Sequence, residues 1–323
     1  MKVLVCGGAG YIGSHTVKSL IRNGYEVVVI DNLSSGRKEL LGGGEFIPAD
    51  LNDKDALKRA FRAHDFGAVL HFASLIQVGE SYRDPRKYYT QNLLTSLNLL
   101  ESMLEARVLR MIFSSSAAVY GVPGTIPIPE AHPLDPVNPY GRTKLFVEQI
   151  MKDYEAAYGL KFISLRYFNA AGADPDGELG EMHDPETHLI PNALFAALGK
   201  RTSLDLFGTD FPTPDGTAVR DYIHVTDLAA AHVLALKKLL AAPESDFINL
   251  GTNHGYSVLE VIRAVEAVTG RKVAREIKPL RQGDVPVLLA SKEKAEKALG
   301  WTLRHSSIEE IIRTAWEWHK KQS

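Results

Sequence analysis

Tyr140 and Lys144 lie one helical turn apart in Tyr140-Gly141-Arg142-Thr143-Lys144, directly after Asn138-Pro139. Asn is a good N-cap, and Pro is tolerated at the first helical position because its missing N–H has no intrahelical partner there anyway. The pattern therefore predicts a helix with Tyr140 in its first turn. Residues at i and i+4 share a helix face, which puts the Lys144 ammonium within reach of the Tyr140 hydroxyl. A nearby cation and the positive end of the helix dipole both favour a phenolate. Tyrosine ordinarily titrates near ~10, so it needs such help to take a proton at neutral pH. The pair is a candidate proton-transfer device, although Tyr-x-x-x-Lys also recurs by chance on surface helices.

A second constellation sits near the start of the chain. The strand pattern of residues 2–6 runs into Gly7-Gly8-Ala9-Gly10-Tyr11-Ile12-Gly13 and then a helical pattern. Glycines here allow a tight turn and let backbone N–H groups approach a pyrophosphate at the helix N-terminus, while Gly13 permits close helix–sheet packing. Asp31 closes the next strand, about 20 residues on, where a carboxylate accepts hydrogen bonds from a ribose diol and repels a 2′-phosphate. NAD is favoured over the phosphorylated cofactor, and Arg37 is the residue that argues the other way. Asp50-Leu51 can flank an adenine, with Asp50 equally able to cap the next helix. Phe113-Ser114-Ser115-Ser116 closes a further strand. Ligands of doubly wound sheets sit beyond the strand carboxyl ends, so Ser116 is the candidate partner of a substrate hydroxyl, against the simpler reading of a polar strand terminus.

These residues must be positioned by alternating elements. Strand patterns at 2–6, 26–30, 45–49, 68–73, 110–114, 161–166 and 246–250 are separated by helical patterns at 14–23, 53–64, 88–106 and 140–157. Such alternation predicts an α/β, doubly wound parallel sheet of the Rossmann type, covered on both faces. The rhythm breaks after Asn169: residues 172–187, rich in Gly, Pro, Asp and Glu, read as a functional loop, followed by a helix at 191–199 and a loop at 209–217. The sheet pattern is expected to resume at 221–225 with a helix at 228–240. Helices at 258–269, 292–298 and 308–319, with 273–277 extended, follow. Residues 1–169 with about 219–253 are assigned to the dinucleotide lobe, and about 170–218 with 254–323 to a smaller mixed α/β substrate lobe.

At 323 residues, 45% hydrophobic and 24% charged, the composition is that of an ordinary globular protein. A net charge of −2 gives no general attraction to nucleic acid or anionic membrane. No apolar run reaches the length of a membrane span, and Met1-Lys2 leads into a strand rather than a signal peptide. The single cysteine, Cys6, reads as a small buried apolar residue, and a reducing, cytoplasmic setting is expected.

Together, the glycine loop, Asp31, Ser116 and Tyr140-x-x-x-Lys144 resemble the extended short-chain dehydrogenase/reductases. Longer strings narrow the likeness. Phe72-Ala73, Val78-Gly79-Glu80-Ser81, the runs at 114–121, 138–141 and 165–172, His188-Leu189-Ile190-Pro191 and Arg220-Asp221-Tyr222-Ile223-His224-Val225 resemble the UDP-glucose 4-epimerase family, in the same order along essentially the whole chain. The resemblance implies a reversible 4-epimerisation of UDP-glucose and UDP-galactose with recycled NAD. Tyr140 would act as base, Lys144 would lower its pKa and contact the nicotinamide ribose, and Ser116 would support the substrate hydroxyl. Cofactor contacts are implied for Gly7, Gly10, Tyr11, Ile12, Gly13, Asp31, Asn32, Ser35 and Gly36. They are implied also for Asp50, Leu51, Phe72, Ala73, Gln91, Ser114 and Phe168, besides Tyr140 and Lys144. Substrate contacts are implied for Ser116, Tyr140, Asn169, His188, Leu189, Arg220, Arg281, Asp284 and Leu288, where the arginines suit a diphosphate. The family's dimer surface would fall on helices 88–106 and 140–157, giving a homodimer.

Departures from the family pattern are Ile76 and Gln91, where known members carry Lys and Asn, and His188 in place of Asn. Leu288 stands where restricted members carry Tyr, which suggests room for 2-N-acetyl sugars. His183 and His188 with Glu181 or Asp184 are potential metal ligands at irregular spacing, and no metal is expected. The competing readings are a sugar-nucleotide dehydratase or UDP-glucuronate decarboxylase, a UDP-glucuronate 4-epimerase, and a non-catalytic dinucleotide sensor. Dehydratases of this type place an Asp-Glu pair directly after the serine or threonine, where this chain has Ala117 and Ala118. Sensors usually lose the Tyr or the Lys, and this chain keeps both.

Overall fold

In strand β1 (Lys2–Cys6), Val3 and Val5 join one apolar cluster while Leu4 and Cys6 join another. Strand β2 (Glu26–Asp31) repeats this, with Val27 and Val29 on one face and Val28 and Ile30 on the other. Strands apolar on both faces must be covered on both. The computed structural model, which describes residues 1–281 and 284–322, shows how this is done. With β3 (Glu45–Pro48), β4 (Phe66–His71), β5 (Arg110–Ser114), β6 (Lys161–Arg166) and β7 (Asp246–Asn249), these strands form a seven-stranded sheet in the order β7-β6-β5-β4-β1-β2-β3. Its pairings are parallel, so the carboxyl ends share one edge, and the strand order reverses between β1 and β4. That reversal opens the crevice in which doubly wound sheets bind ligands.

The longer helices are α1 (Tyr11–Arg22), α2 (Lys54–Ala63), α3 (Thr95–Glu105), α4 (Pro139–Tyr158), α5 (Leu189–Leu198), α6 (Val225–Ala241), α7 (Val258–Thr269), α8 (Glu293–Leu299) and α9 (Ile308–Lys321). One face of the sheet is covered by α1 through Val17 and Leu20 and by α6 through Leu228 and Leu236. The other is covered by Leu57 of α2, Leu99 of α3 and Val147 of α4. Helices α5, α7 and α9 enclose a separate core around Ala193, Val261 and Ile312. Beside it, Leu204–Phe207, a strand not foreseen from the sequence, pairs with Arg275–Lys278.

Several expectations need correction. The 221–225 segment does not rejoin the main sheet; Tyr222–His224 pairs instead with Asn169–Ala171. The expected 88–106 helix is interrupted by a π-helical stretch, Tyr89–Leu94. Helix α8 and the residue just past its cap do not keep to the smaller core: Ala295, Leu299 and Trp301 pack beneath the main sheet, and Trp301 Nε1 donates to Asp227 O at 2.9 Å. The 172–187 segment is held against α1. Tyr11 OH donates to Gly172 O at 2.6 Å, and the nearly buried Lys18 ammonium contacts Asp174 at 2.5 Å and Glu178 at 2.8 Å. No helix among the described residues is long and apolar enough to cross a membrane.

Burial leaves a pH signature. It lowers the pKa of His15 and His232 to about 4 and of His71 and His224 to about 3. These groups stay neutral in the fold but charge in the unfolded chain below its ordinary ~6.5. Their contribution is therefore complete above pH ~6.5 and is lost as pH falls toward 4, about 2 kcal/mol for each at pH 5. Asp221 and Glu186, raised to about 6 and about 7 chiefly by burial, and His188, raised to about 9 against burial by the charge of Glu181, work the other way, while His319, lowered to about 4 by burial, adds to the four. The melting temperature is expected to fall by roughly 5 °C or more between pH 7 and pH 5. A flat calorimetric profile over that range would show that these histidines titrate normally.

Candidate active site

Helix α4 begins as its sequence dictates. Asn138 Oδ1 accepts the Gly141 N–H at 2.7 Å, and Pro139 occupies the first turn. A Cβ on Gly141 would lie 2.6 Å from the carbonyl oxygen of Ala118, so only glycine lets α4 start this close to the turn after β5. The close approach sets Tyr140 beside the Ser116 side chain, whose influence favours the ionised tyrosine. Ser116 itself caps the short Ala117–Tyr120 turn, its Oγ accepting the Ala118 N–H at 3.1 Å.

Lys144 is placed differently from the expectation. Its Nζ donates to Ser74 Oγ and to Ser114 O, both at 2.8 Å, and lies 5.9 Å from the centre of the Tyr140 ring. Burial dominates both groups. It lowers Lys144 to about 7, against the opposing charge of Glu148, and it raises Tyr140 despite the opposing influence of Ser116. The helix and the lysine do not by themselves make Tyr140 a phenolate, because a dry site disfavours every charged form. What they make is a proton-sharing site whose balance is set by whatever charge is added to it.

One turn beyond Lys144, Glu148 is buried against Arg166 of β6, with Arg166 Nε on Oε1 at 2.9 Å and Nη2 on Oε2 at 2.6 Å. Ser115 and Ser164 each donate a hydroxyl to the same Oε1 at 2.8 Å. Arg166 Nη1 donates to Tyr120 OH at 2.9 Å, and the Tyr120 hydroxyl donates to Asn249 Oδ1 at 2.7 Å. Glu148, Arg166 and Ser74 were not identified from the sequence, since their partners come from separate strands. Asn92 is another such residue. It lies in the π-helical stretch and joins Leu75 O at 3.0 Å to Thr143 Oγ1 at 3.1 Å, whereas its neighbour Gln91 faces Asn52 at 3.4 Å. Ile76 is exposed.

At the other side of the crevice, the glycine loop is fixed by contact. A Cβ on Gly13 would lie 2.1 Å from Gly7 O, so α1 passes over the loop at a distance no side chain permits. Helix α1 has Gly10 as its N-cap, with no side-chain cap and no acidic residue in the first turn, leaving its N–H end open to an anion. Tyr11 is buried and turned toward Gly172, and Ile12 packs at the edge of the sheet core. Asp31 accepts the Ala9 N–H at 3.0 Å and the Leu33 N–H at 2.8 Å, which orients its carboxylate at the loop and leaves further lone pairs. Gly36 lies beside that carboxylate and Ser35 is exposed. Asn32 donates to Asp50 at 2.7 Å; Asp53, not Asp50, caps α2. Leu51 is buried, and Phe72-Ala73 hang from Cys6 O by N–H bonds of 2.8 and 3.1 Å, with Ala73 against Gly7. Arg37 points away to Met182 O and Asp184.

The residues expected to hold a substrate fall into three groups. Asp284 takes a two-point contact from Arg281, at 3.0 and 3.2 Å, and lies 3.9 Å from Arg220. Gln282 and Gly283 between them are outside the described residues. Asn169 Nδ2 donates to Asp221 O at 2.9 Å, while Phe168 and Leu288 pack against the apolar cluster of Ala117, Val119 and Tyr120. His188 and Leu189 lie at the start of α5, where His188 meets Glu181 rather than a free edge.

The sequence matches the model of the NAD dependent epimerase/dehydratase family over residues 3–251. It is 48% identical to a UDP-glucose 4-epimerase of Lacticaseibacillus casei, across 99% of this chain and 97% of that protein. The crystal structure of a UDP-glucose 4-epimerase from Brucella ovis in complex with NAD superposes with a TM-score of 0.95 at 49% identity, covering 98% and 97% of the two chains. A UDP-glucose 4-epimerase from Bifidobacterium longum in complex with NAD+ and UDP gives 0.95 at 40% identity, covering 99% and 98%.

Removing one partner of a buried ion pair strands the other. Glu148→Ala is expected to cost about 3–5 kcal/mol in urea unfolding. Glu148→Gln, which keeps hydrogen-bonding capacity, should cost less. Equal and small losses would mean that water reaches the pair.

Proposed function

The chain belongs to the NAD dependent epimerase/dehydratase family, and from that premise we propose that it interconverts UDP-glucose and UDP-galactose through a 4-keto sugar, regenerating its NAD in each cycle. The observation that carries this reading is the close approach of α4 to the turn after β5, which sets Tyr140 beside the Ser116 side chain at the carboxyl edge of the sheet, followed by Ala117 and Ala118. A base and a hydroxyl partner are present, and no acid follows them to expel water from C5–C6. Abstraction and return of one proton is the chemistry left.

The residues of the crevice fit NAD. Gly10 and Gly13 admit a pyrophosphate to the open end of α1, Asp31 is set for a ribose diol, and the turning away of Arg37 argues against a 2′-phosphate. When bound, NAD+ supplies the hydride acceptor and a fixed positive ring charge. In a dry site that charge, with a protonated Lys144, favours the Tyr140 phenolate that burial alone resists. Tyr140 then removes the O4 proton, and Ser116 holds the oxygen as it becomes a carbonyl. After the sugar turns, Tyr140 gives the proton back to O4 on the inverted centre. Turning requires that the nucleotide be gripped and the sugar be held loosely. Arg220 and Arg281 suit the diphosphate, Asp284 and Asn169 suit ribose and sugar hydroxyls, and the apolar wall of Phe168 and Leu288 offers the sugar few fixed bonds.

We assign residues 1–169 with about 219–253 to the NAD lobe and the rest to the UDP-sugar lobe, except that α8 and Trp301 serve the first core. A homodimer is favoured by the exposure of Leu94 and Phe146 on neighbouring helical segments, with Tyr89 stacked on Phe146. A cytoplasmic enzyme fits the free, buried Cys6.

Tyr140→Phe should retain NAD, measured on the released cofactor, yet lower conversion of UDP-galactose by at least ~10²-fold. Unimpaired turnover would refute the assignment of the base. Leu288 is smaller than a tyrosine at the same place, so UDP-N-acetylgalactosamine is expected to turn over within about 10⁴-fold of UDP-galactose, a margin wider than a single misfitting group imposes. A larger ratio would place the size limit elsewhere.

A further inference from the structure

Between the 172–187 segment and α5, four side chains converge. Glu181, His183, Glu186 and His188 each offer one donor atom, and these atoms all lie within 4.8 Å of one another. His183 Nδ1 is 2.8 Å from Glu181 Oε1, His188 Nδ1 contacts the same oxygen, and Glu186 Oε1 is 3.9 Å from His188 Nδ1. A tetrahedral ion with bonds of about 2.0–2.2 Å sets its ligand atoms about 3.3–3.6 Å apart, so a small contraction or expansion of this cluster centres one ion.

Charge makes the same point independently. The side chains of Glu181 and Glu186 are only 3% and 6% exposed. Among the described residues, neither has a lysine or arginine within ion-pair distance; their charged partners are the two histidines. Burial and the neighbouring Glu181 push Glu186 up, and a divalent cation with two neutral imidazoles would let both carboxylates stay charged without leaving a net charge inside. The surroundings also orient the donors. The N–H groups of Thr187 and His188 hold Glu186 Oε1 at 2.7 and 2.8 Å, Trp318 Nε1 of α9 holds the backbone oxygen of Glu181 at 3.1 Å, and the Tyr11 ring edge rests against His183. Such outer contacts are what fix a metal ligand set.

We propose that Glu181, His183, Glu186 and His188 bind one divalent transition-metal ion of the zinc type. Imidazole with carboxylate suits Zn2+ and its neighbours, whereas Mg2+ and Ca2+ call for oxygen donors. The ion lies apart from Tyr140, Ser116 and Lys144 and takes no part in proton transfer. It fixes the 181–188 segment at the meeting of α1, α5 and α9.

The test uses tag-free protein incubated with ZnCl2, passed through a desalting column and analysed for metal. About one zinc per chain should be retained, and Zn2+ at about a hundred times its dissociation constant should raise the melting temperature by several degrees, reversed by a chelator. Mg2+ should give no shift. His183→Asn and Glu186→Gln should each lose the retained zinc and the thermal shift while keeping the far-ultraviolet circular dichroism of the parent. Co2+ should give the visible absorption of a tetrahedral site in the parent and not in Glu186→Gln, which keeps the test decisive if His183→Asn folds poorly. Zinc that washes out of the parent, or that stays at the same stoichiometry in both variants, overturns the proposal.

Discussion

A carboxylate and a guanidinium can be buried together only if every remaining donor and acceptor finds a partner. Glu148 and Arg166 meet that condition through Ser115, Ser164, Tyr120 and Asn249. The six residues come from α4, β6, β7 and the segment that follows β5, so the network fixes the first helical turns of α4 relative to three strand ends. Tyr140 lies two turns before Glu148 and Ser116 one residue after Ser115. Their meeting is thus set by a rigid polar joint rather than by a loop. The contact of Gly141 with Ala118 closes the remaining gap, and no larger residue would allow it.

That joint also keeps the site dry, which determines its chemistry. Water would leave Tyr140 and Lys144 near their ordinary pKa values, about three units from neutrality. Burial moves lysine down to about 7 and tyrosine further up. A single positive charge placed nearby then has a large effect, because the low dielectric that penalises ions also magnifies their interactions. On the proposed reading, Tyr140 would be armed as a base by its ligand rather than by its helix.

Local patterns were legible in the sequence because local geometry creates them. The cap at Asn138-Pro139 needs only its own turn, the glycine loop only the strand and helix beside it, and alternating apolar faces only their own strand. Contacts made across the chain were not. Glu148 looks like one more polar position on α4 until Ser115, Ser164 and Arg166 are placed around it. Lys144 could be put on the face of Tyr140 but not aimed, since Ser74 and the Ser114 carbonyl that hold it lie on other elements. Asn92, which no local pattern marks, reaches Leu75 and Thr143 from the π-helical stretch, partners that come from other elements. Tyr222–His224 has the composition of a sheet strand, but three buried residues carry no information about which partner they choose. Leu204–Phe207 is equally short, with alternate residues only half covered.

The bond from Tyr11 to Gly172 and the hold of Trp318 on Glu181 have a temporal consequence. Translation delivers the glycine loop first and α9 some three hundred residues later. A nascent chain can pair β1, β2 and β3 as soon as they emerge, yet the 172–187 segment that lies over α1 has its outer support only once Trp318 exists. The glycine loop is therefore complete early in synthesis, whereas the segment that lies over its helix gains its outer support almost last.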